Sequence, residues 1–167
     1  AAVLLASEEW AASRGIPVQA WLTAYQTAAN NFVEGEGLLM APTIAVSKLL
    51  DRTGLKLQDF DFYEIHEAFA AQVLATLKAW EDPEYCRRVL GKDQPLGSID
   101  RSKLNVKGSS IAYGHPFAAT GARIMANLAK LLYEHGGRGL ISICTAGGMG
   151  VAAIMESARA AEMQAAA

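Results

Sequence analysis

Cysteine and histidine are scarce in this sequence, with two and three residues among 167. The two cysteines, Cys86 and Cys144, exclude a disulfide-rich secreted scaffold and a four-cysteine zinc site. An excess of one charge is also missing: 15 basic and 17 acidic side chains leave a net charge of −2. That balance offers no basic face, so no nucleic-acid partner is expected. Long apolar runs are lacking. Residues 139–155 form the longest notable uncharged stretch, but glycines break it and it falls short of the roughly 20 apolar residues a membrane helix needs. With 51% apolar and 19% charged residues, the chain is neither disordered nor a charged tail. Its length suits one domain with a sizeable core. No methionine opens it, and no basic segment precedes the apolar run Ala1–Ala6. No signal peptide is therefore expected. The run reads as a strand that begins at once, as in a piece cut from something longer. A cytoplasmic location is the expectation.

Strand-like and helix-like segments alternate. Residues 2–6 read as a buried strand, and Ser7 as the cap of a helix opening on Glu8 and Glu9 and stopped by Gly15 and Pro17. Val18 to Thr27 is strand-prone, and residues 30–40 read as a loop. Pro42 fits the first turn of a second helix, which Gly54 ends. Residues 60–65 alternate with period two, predicting a strand. A third helix is predicted from about Glu67, with Phe69, Val73 and Leu77 as its stripe and Leu74 beside it. Residues 81–104, rich in charge and carrying Pro83 and Pro95, read as a surface insertion with a helical turn near Tyr85–Leu90. A helix from Pro116 to about His135 follows. Two strands, 139–143 and 151–155, close the pattern around a glycine-rich turn too short for a crossover, so that pair is antiparallel. The result is an α/β chain with a mixed, mainly buried five-stranded sheet. Alanine supplies 31 of the 167 residues and dominates the tail.

Three places combine reactive side chains with special backbone. His66 ends the 60–65 strand. His115 stands in Gly114-His115-Pro116, at a helix start, where the dipole disfavours an imidazolium. Cys144 ends an apolar strand before Thr145-Ala146-Gly147-Gly148, whose N–H groups can stabilise a thiolate or an oxyanion. The plain alternatives are a capping histidine and a small buried cysteine. Cys86, beside Arg87 and Arg88, has nothing poised to use it. His66, His115 and Cys144 could also supply three metal ligands, but no short-spaced ligand pair exists, so no metal is expected. His135, before Gly136-Gly137, reads as a helix C-cap. Residues 108–121 resemble a phosphate cradle only loosely, lacking its glycine spacing and lysine.

Together, His66-Glu67-Ala68-Phe69-Ala70, the run from Asn105-Val106 through Gly114-His115-Pro116 to Gly121-Ala122-Arg123, and Cys144-x-x-Gly-Gly-Met-Gly resemble the thiolases in content, order and spacing. The resemblance covers nearly the whole chain and is to the C-terminal half of the family, a layered α/β/α unit. His66 stands where many thiolases have Asn. That variant resembles the branch of fatty-acid oxidation thiolases found in trifunctional-type complexes, as does Phe117-Ala118-Ala119-Thr120. The resemblance implies an acyltransferase acting on acyl-CoA, by 3-ketoacyl-CoA thiolysis or acetyl-CoA condensation, with coenzyme A as substrate and no separate cofactor. It implies that His115 activates the nucleophile and donates into a first oxyanion hole. His66 positions that hole's water, and Cys144 moves the proton on the acetyl α-carbon. The Ala146 N–H serves a second oxyanion hole, while Phe69 and Leu38 line the pantetheine pocket.

The family nucleophile lies in the N-terminal half, in a Ser-x-Cys-x-Ser setting that neither Cys86 nor Cys144 has. The resemblance therefore implies an N-terminal thiolase half as partner, an inactive isolated chain, a homo-oligomer, and a possible hydratase/dehydrogenase subunit. Two other readings stand beside it: a non-catalytic acyl-CoA or partner-binding module, and a thiolase-related lipid side-chain lyase. For 81–104, a solvated loop is expected first, contact with a partner subunit second, and contact with an anionic membrane surface last.

Overall fold

Ser7 does cap a helix. In the computed structural model, which describes residues 1–158, its side chain accepts the Trp10 N–H at 3.2 Å and opens α1 (Glu8–Arg14). Gly15 closes it in the left-handed region, at φ 59°. Before the cap, the expected strand is absent: residues 1–6 form no ladder and are exposed. An apolar run needs a neighbouring strand to satisfy its backbone groups, and none of the sheet's edges reaches it. The sheet thus has four strands rather than five. The alanine-rich tail beyond residue 158 lies outside the described residues.

The strands are β1 (Ala20–Ala29), β2 (Phe62–Ile65), β3 (Arg138–Cys144) and β4 (Met149–Ser157), in the order β1-β4-β3-β2. β3 and β4 form the expected antiparallel pair, with Cys144 opposite Gly150. β1 runs antiparallel to β4, with a register shift between Leu22 and Ala24, and β2 runs parallel to β3. The sheet is mixed and open. Beyond β2, Leu104 bridges to Tyr63 and carries the chain along the sheet edge.

Helices cover both faces. α2 (Ala41–Thr53) and α3 (Ala70–Glu81) pack Val46, Leu49, Val73, Leu77 and Trp80 against Leu140 and Ile154. α6 (Thr120–His135) packs Ile124, Leu128 and Leu132 on the other face, against Ile141, Ala153 and Met155. Each such side chain contributes about 1.5–3 kcal/mol by leaving water, which fastens α6 to the sheet more firmly than its propensity alone. The α/β/α layering follows.

Two helices start later than their sequence patterns predict. α3 begins at Ala70, and Phe69 sits before it in extended backbone, 65% exposed rather than in the stripe. Leu74 is also exposed. α6 begins at Thr120, four residues past Pro116, with Ala118 at φ 65° in the intervening turn. The segment 81–104 carries the expected helical turn and is anchored to the core. Asp82 caps a short helix, α4 (Pro83–Tyr85), which runs into a π-helical turn, Cys86–Leu90. Cys86 and Ile99 are buried, and Leu90, Leu96 and Leu104 pack on the α2/α3 core. Its charged residues are the outer side of a segment whose apolar residues face inward. Among the described residues, no helix is long and apolar enough to cross a membrane.

Candidate active site

β2 and β3 are parallel neighbours, so their C-terminal ends open on one edge of the sheet. His66 prolongs their ladder: its N–H donates to Ser142 O at 2.9 Å, two residues before Cys144. The side chain is 1% exposed. Its Nδ1 meets Ser110 Oγ at 3.0 Å, where α5 (Ser110–Tyr113) begins. Burial pulls its pKa down to about 4, helped by His115 and Arg123 and opposed by Glu67, so the ring is neutral near pH 7.

His115 lies outside that buried ring, exposed, with the two ring centroids 4.3 Å apart. It stands in the loop between α5 and α6 rather than at a helix start. Its Nδ1 meets Thr120 Oγ1 at 2.7 Å, and that hydroxyl donates to Pro116 O at 3.4 Å. A hydroxyl has one hydrogen. With it spent on Pro116, Thr120 accepts from His115 Nδ1–H, which leaves Nε2 with a lone pair able to take a proton. Phe117 lies against the same ring, centroids 5.0 Å apart, and is 87% exposed.

Cys144 is buried, and burial pushes its thiol pKa up. A thiol that stays protonated is a proton donor rather than a ready nucleophile. After it, Thr145 N–H donates to Met149 O and Met149 N–H to Ala146 O, closing the turn between β3 and β4. Ala146 is exposed at φ 63°, and no hydrogen bond among the described residues uses its N–H. Left-handed backbone costs a residue with a Cβ about 1–2 kcal/mol. Among the described residues, the non-glycine residues with positive φ are Asn105, Ala118 and Ala146, and each lies in a segment that carries this site.

Several residues that build the site went unassigned in the sequence reading. Asn105, held at φ 47°, accepts from Ile65 N–H and donates to Ile65 O and to Glu67, all at 2.9 Å. The other Glu67 oxygen accepts Ile111 N–H at 3.0 Å. These bonds clamp the 105–111 segment to the end of β2. Arg123 donates through Nη2 to Ser110 Oγ at 3.2 Å. Asn105 and Arg123 stand inside the His-Pro motif run, whose spacing is the available sequence signal; Ser110 carries none. Phe69 and Leu38 are exposed, at 65% and 47%, and no described contact joins either to the histidines. Among the described residues, no cluster of three His, Cys, Asp or Glu side chains is placed to hold a metal ion.

The family described as "Thiolase, C-terminal domain" matches residues 16–157. The 3-ketoacyl-CoA thiolase of Yersinia pestis (strain Pestoides F) is 45% identical over 157 residues, which are 93% of this chain and 36% of that protein. The 3-ketoacyl-CoA thiolase of Yersinia pseudotuberculosis serotype O:1b matches equally. Among solved structures, human mitochondrial 3-ketoacyl-CoA thiolase superposes with a TM-score of 0.72 at 33% identity, over 91% of this chain and 34% of that one. The acetyl-CoA acetyltransferase of Bacillus anthracis does so with a TM-score of 0.69 at 34% identity, over 90% and 34%. The chain spans about a third of the length of the relatives it matches.

Proposed function

Because the chain belongs to the thiolase family as a C-terminal domain, we propose that it supplies the acid–base half of an acyl-CoA acyltransferase site. The reaction is 3-ketoacyl-CoA thiolysis, or its reverse, the condensation of acetyl-CoA units. The observation that carries this reading is the pair of imidazoles 4.3 Å apart, each tied through Nδ1 to a hydroxyl so that Nε2 is left for the reacting groups. A cysteine thiol from an N-terminal thiolase half gives its proton to His115 Nε2 and attacks the keto carbon. The negative charge on that oxygen is met by His115, now a donor, and by a water that His66 positions. The carbon–carbon bond then breaks, and its electron pair passes to the acetyl α-carbon, which takes the Cys144 proton. The Ala146 N–H stabilises the enolate oxygen. Coenzyme A gives its thiol proton to the Cys144 thiolate, its sulfur takes the acyl group, and the freed nucleophile takes back the proton held on His115, which closes the cycle. Phe69 and Leu38, both open to solvent, suit contact with pantetheine.

A further part of the proposal is that the working enzyme is a homo-oligomer, with a hydratase/dehydrogenase subunit as a possible companion. The test joins this domain to its N-terminal half and measures thiolysis of acetoacetyl-CoA and a longer 3-ketoacyl-CoA. His115→Ala is expected to lower kcat/KM by about 10²–10⁴-fold, the share a positioned acid–base group supplies. Thiolysis at the unaltered rate in His115→Ala, or none in the unaltered enzyme, rejects the reading.

A further inference from the structure

Among the described residues, Glu64 is the buried carboxylate, 1% exposed, and neither of its oxygens accepts a hydrogen bond. Such a group is costly to fold around unless a charge answers it. Alternation along β2 shows where it points. Tyr63 and Ile65 join the α2/α3 core, whereas Phe62 packs on the α6 side, and Glu64 shares the face of Phe62. From α6 the charge that bears on it is Arg123, which does not pair with it directly: both Glu64 oxygens and Arg123 Nε and Nη1 stay without a hydrogen-bond partner, so burial dominates and Arg123 only offsets it, while Glu67 after β2 opposes its ionisation.

Arg123 is only partly engaged. Its Nε and Nη1 are buried without an acceptor, and Nη2 donates to the hydroxyls of Ser109 at 3.4 Å and Ser110 at 3.2 Å. The same Ser110 oxygen lies 3.0 Å from His66 Nδ1. An oxygen that receives a guanidinium N–H is polarised towards giving away its own hydrogen, and the imidazole nitrogen is within reach to take it. The hydrogen of the neutral ring then sits on Nε2. His66 becomes a donor beside His115, whose own Nε2 carries a lone pair.

We propose that Glu64 is a positioning residue: its charge, on the sheet face turned to α6, biases the Arg123 guanidinium across that layer without touching it, Arg123 orients the Ser110 hydroxyl, and that hydroxyl fixes His66 as an Nε2–H donor. What the histidine pair then does rests on the thiolase reading; the Arg123–Ser110–His66 contacts do not. Glu64→Gln keeps the shape and removes the charge. Ser110→Ala removes only the hydroxyl.

The experiment uses the complete enzyme, labelled with ¹⁵N-histidine, in the unaltered form and as Glu64→Gln, Glu64→Asp and Ser110→Ala. The unaltered protein should show His66 as a single Nε2–H tautomer, and Glu64→Gln and Ser110→Ala should show mixed tautomers. In thiolysis, Glu64→Gln should lower kcat about tenfold, a fraction of what a positioned acid–base group contributes. Its KM should stay within about twofold, since no contact with the acyl-CoA is lost. Glu64→Asp, which keeps the charge, should recover part of both kcat and the tautomer. Unchanged His66 tautomers in Glu64→Gln and Ser110→Ala overturn the proposal, as does a loss of kcat matched by a fall in melting temperature at pH 8. If Glu64→Gln does not fold, the Ser110→Ala tautomer decides alone. An unaltered enzyme without thiolysis removes the thiolase reading and leaves the tautomer measurement standing.

Discussion

Two buried ionisable residues on one strand carry opposite pH signatures. His66 has its folded pKa lowered to about 4, so between about 4 and 6.5 the unfolded chain binds the extra proton. Its contribution to stability is present above about 6.5 and is lost as pH falls through that window. Glu64 has its folded pKa raised to about 7, so between about 4.5 and 7 the folded chain binds the extra proton. Its ionisation removes stability as pH rises through that window, by up to about 3 kcal/mol at 1.36 kcal/mol per unit. Where the windows overlap the slopes oppose each other. Unfolding free energies from pH 4 to 8 should therefore vary little in the unaltered chain, rise with pH in Glu64→Gln and fall with pH in His66→Asn. Parallel curves for all three would contradict the assignments. Cys144 gives a second prediction at this scale. Cys144→Ser keeps the shape but not a pKa suited to proton transfer, so it should stall the α-carbon step and still form acyl-enzyme, which His115→Ala should not. Acyl-enzyme mass after trapping measures this, and equal loss in both variants rejects the division of roles. His66 and Cys144 stand out in the sequence as rare, reactive side chains at strand ends and His115 as one before a proline, and the structure brings the two imidazoles to 4.3 Å. Glu64 does not stand out, because period two places it among Phe62, Tyr63 and Ile65 as an ordinary polar position; only the third dimension buries it.

Backbone approach between elements decides which glycines matter. A Cβ on Gly150 in β4 would lie 2.5 Å from Pro42 N and 2.9 Å from Ala41 C, main-chain atoms that cannot step aside without moving α2. Gly150→Ala should cost about 1–3 kcal/mol, as overpacking does. In Gly121→Ala, on α6, the new methyl meets nothing within 4 Å, so the helix should gain about 0.5–1 kcal/mol. Denaturant midpoints of the two variants should move in opposite directions. Four helices and four strands, the β3–β4 hairpin among them, followed from caps and periodicity: Ser7, Pro42, Gly54 and the 139–155 run are local signals. Residues 2–6 misled because a strand is a property of a pair, and the sequence pattern says nothing of a missing neighbour. The starts of α3 and α6 slipped because Phe69 takes extended backbone and Ala118 the left-handed region, conformations that an apolar pattern does not register. In 81–104 the helical turn near Tyr85–Leu90 was legible, but its anchoring through Cys86 and Ile99 was not, because the charges outnumber the few apolar side chains that anchor it.

At the scale of the molecule, the site stands at an edge crowded with exposed apolar side chains. Phe117, Ile111, Tyr113 and Phe69 are 87%, 63%, 56% and 65% exposed, and the first three belong to the loop and short helix that hold the histidines. Isolated exposed apolar residues need no explanation, but a group of them beside reactive side chains suits an interaction surface, which on the proposed reading the N-terminal half covers. The chain spans 36% of a 3-ketoacyl-CoA thiolase relative, and neither of its buried cysteines, Cys86 or Cys144, has a Ser-x-Cys-x-Ser setting. Cys86 is further held by sulfur contacts to the carbonyls of Ala79 and Trp80. On the proposed reading this domain supplies a base, a proton donor and an oxyanion N–H but no nucleophile, a set that can bind and polarise an acyl-CoA without transferring its acyl group. The purified 167-residue chain should therefore release no acetyl-CoA from acetoacetyl-CoA and coenzyme A. It should also bind an apolar dye at the exposed edge, and joining the N-terminal half should restore thiolysis and suppress the dye signal together. Turnover by the chain alone that is abolished by Cys144→Ala would place the nucleophile at Cys144 and sink this account.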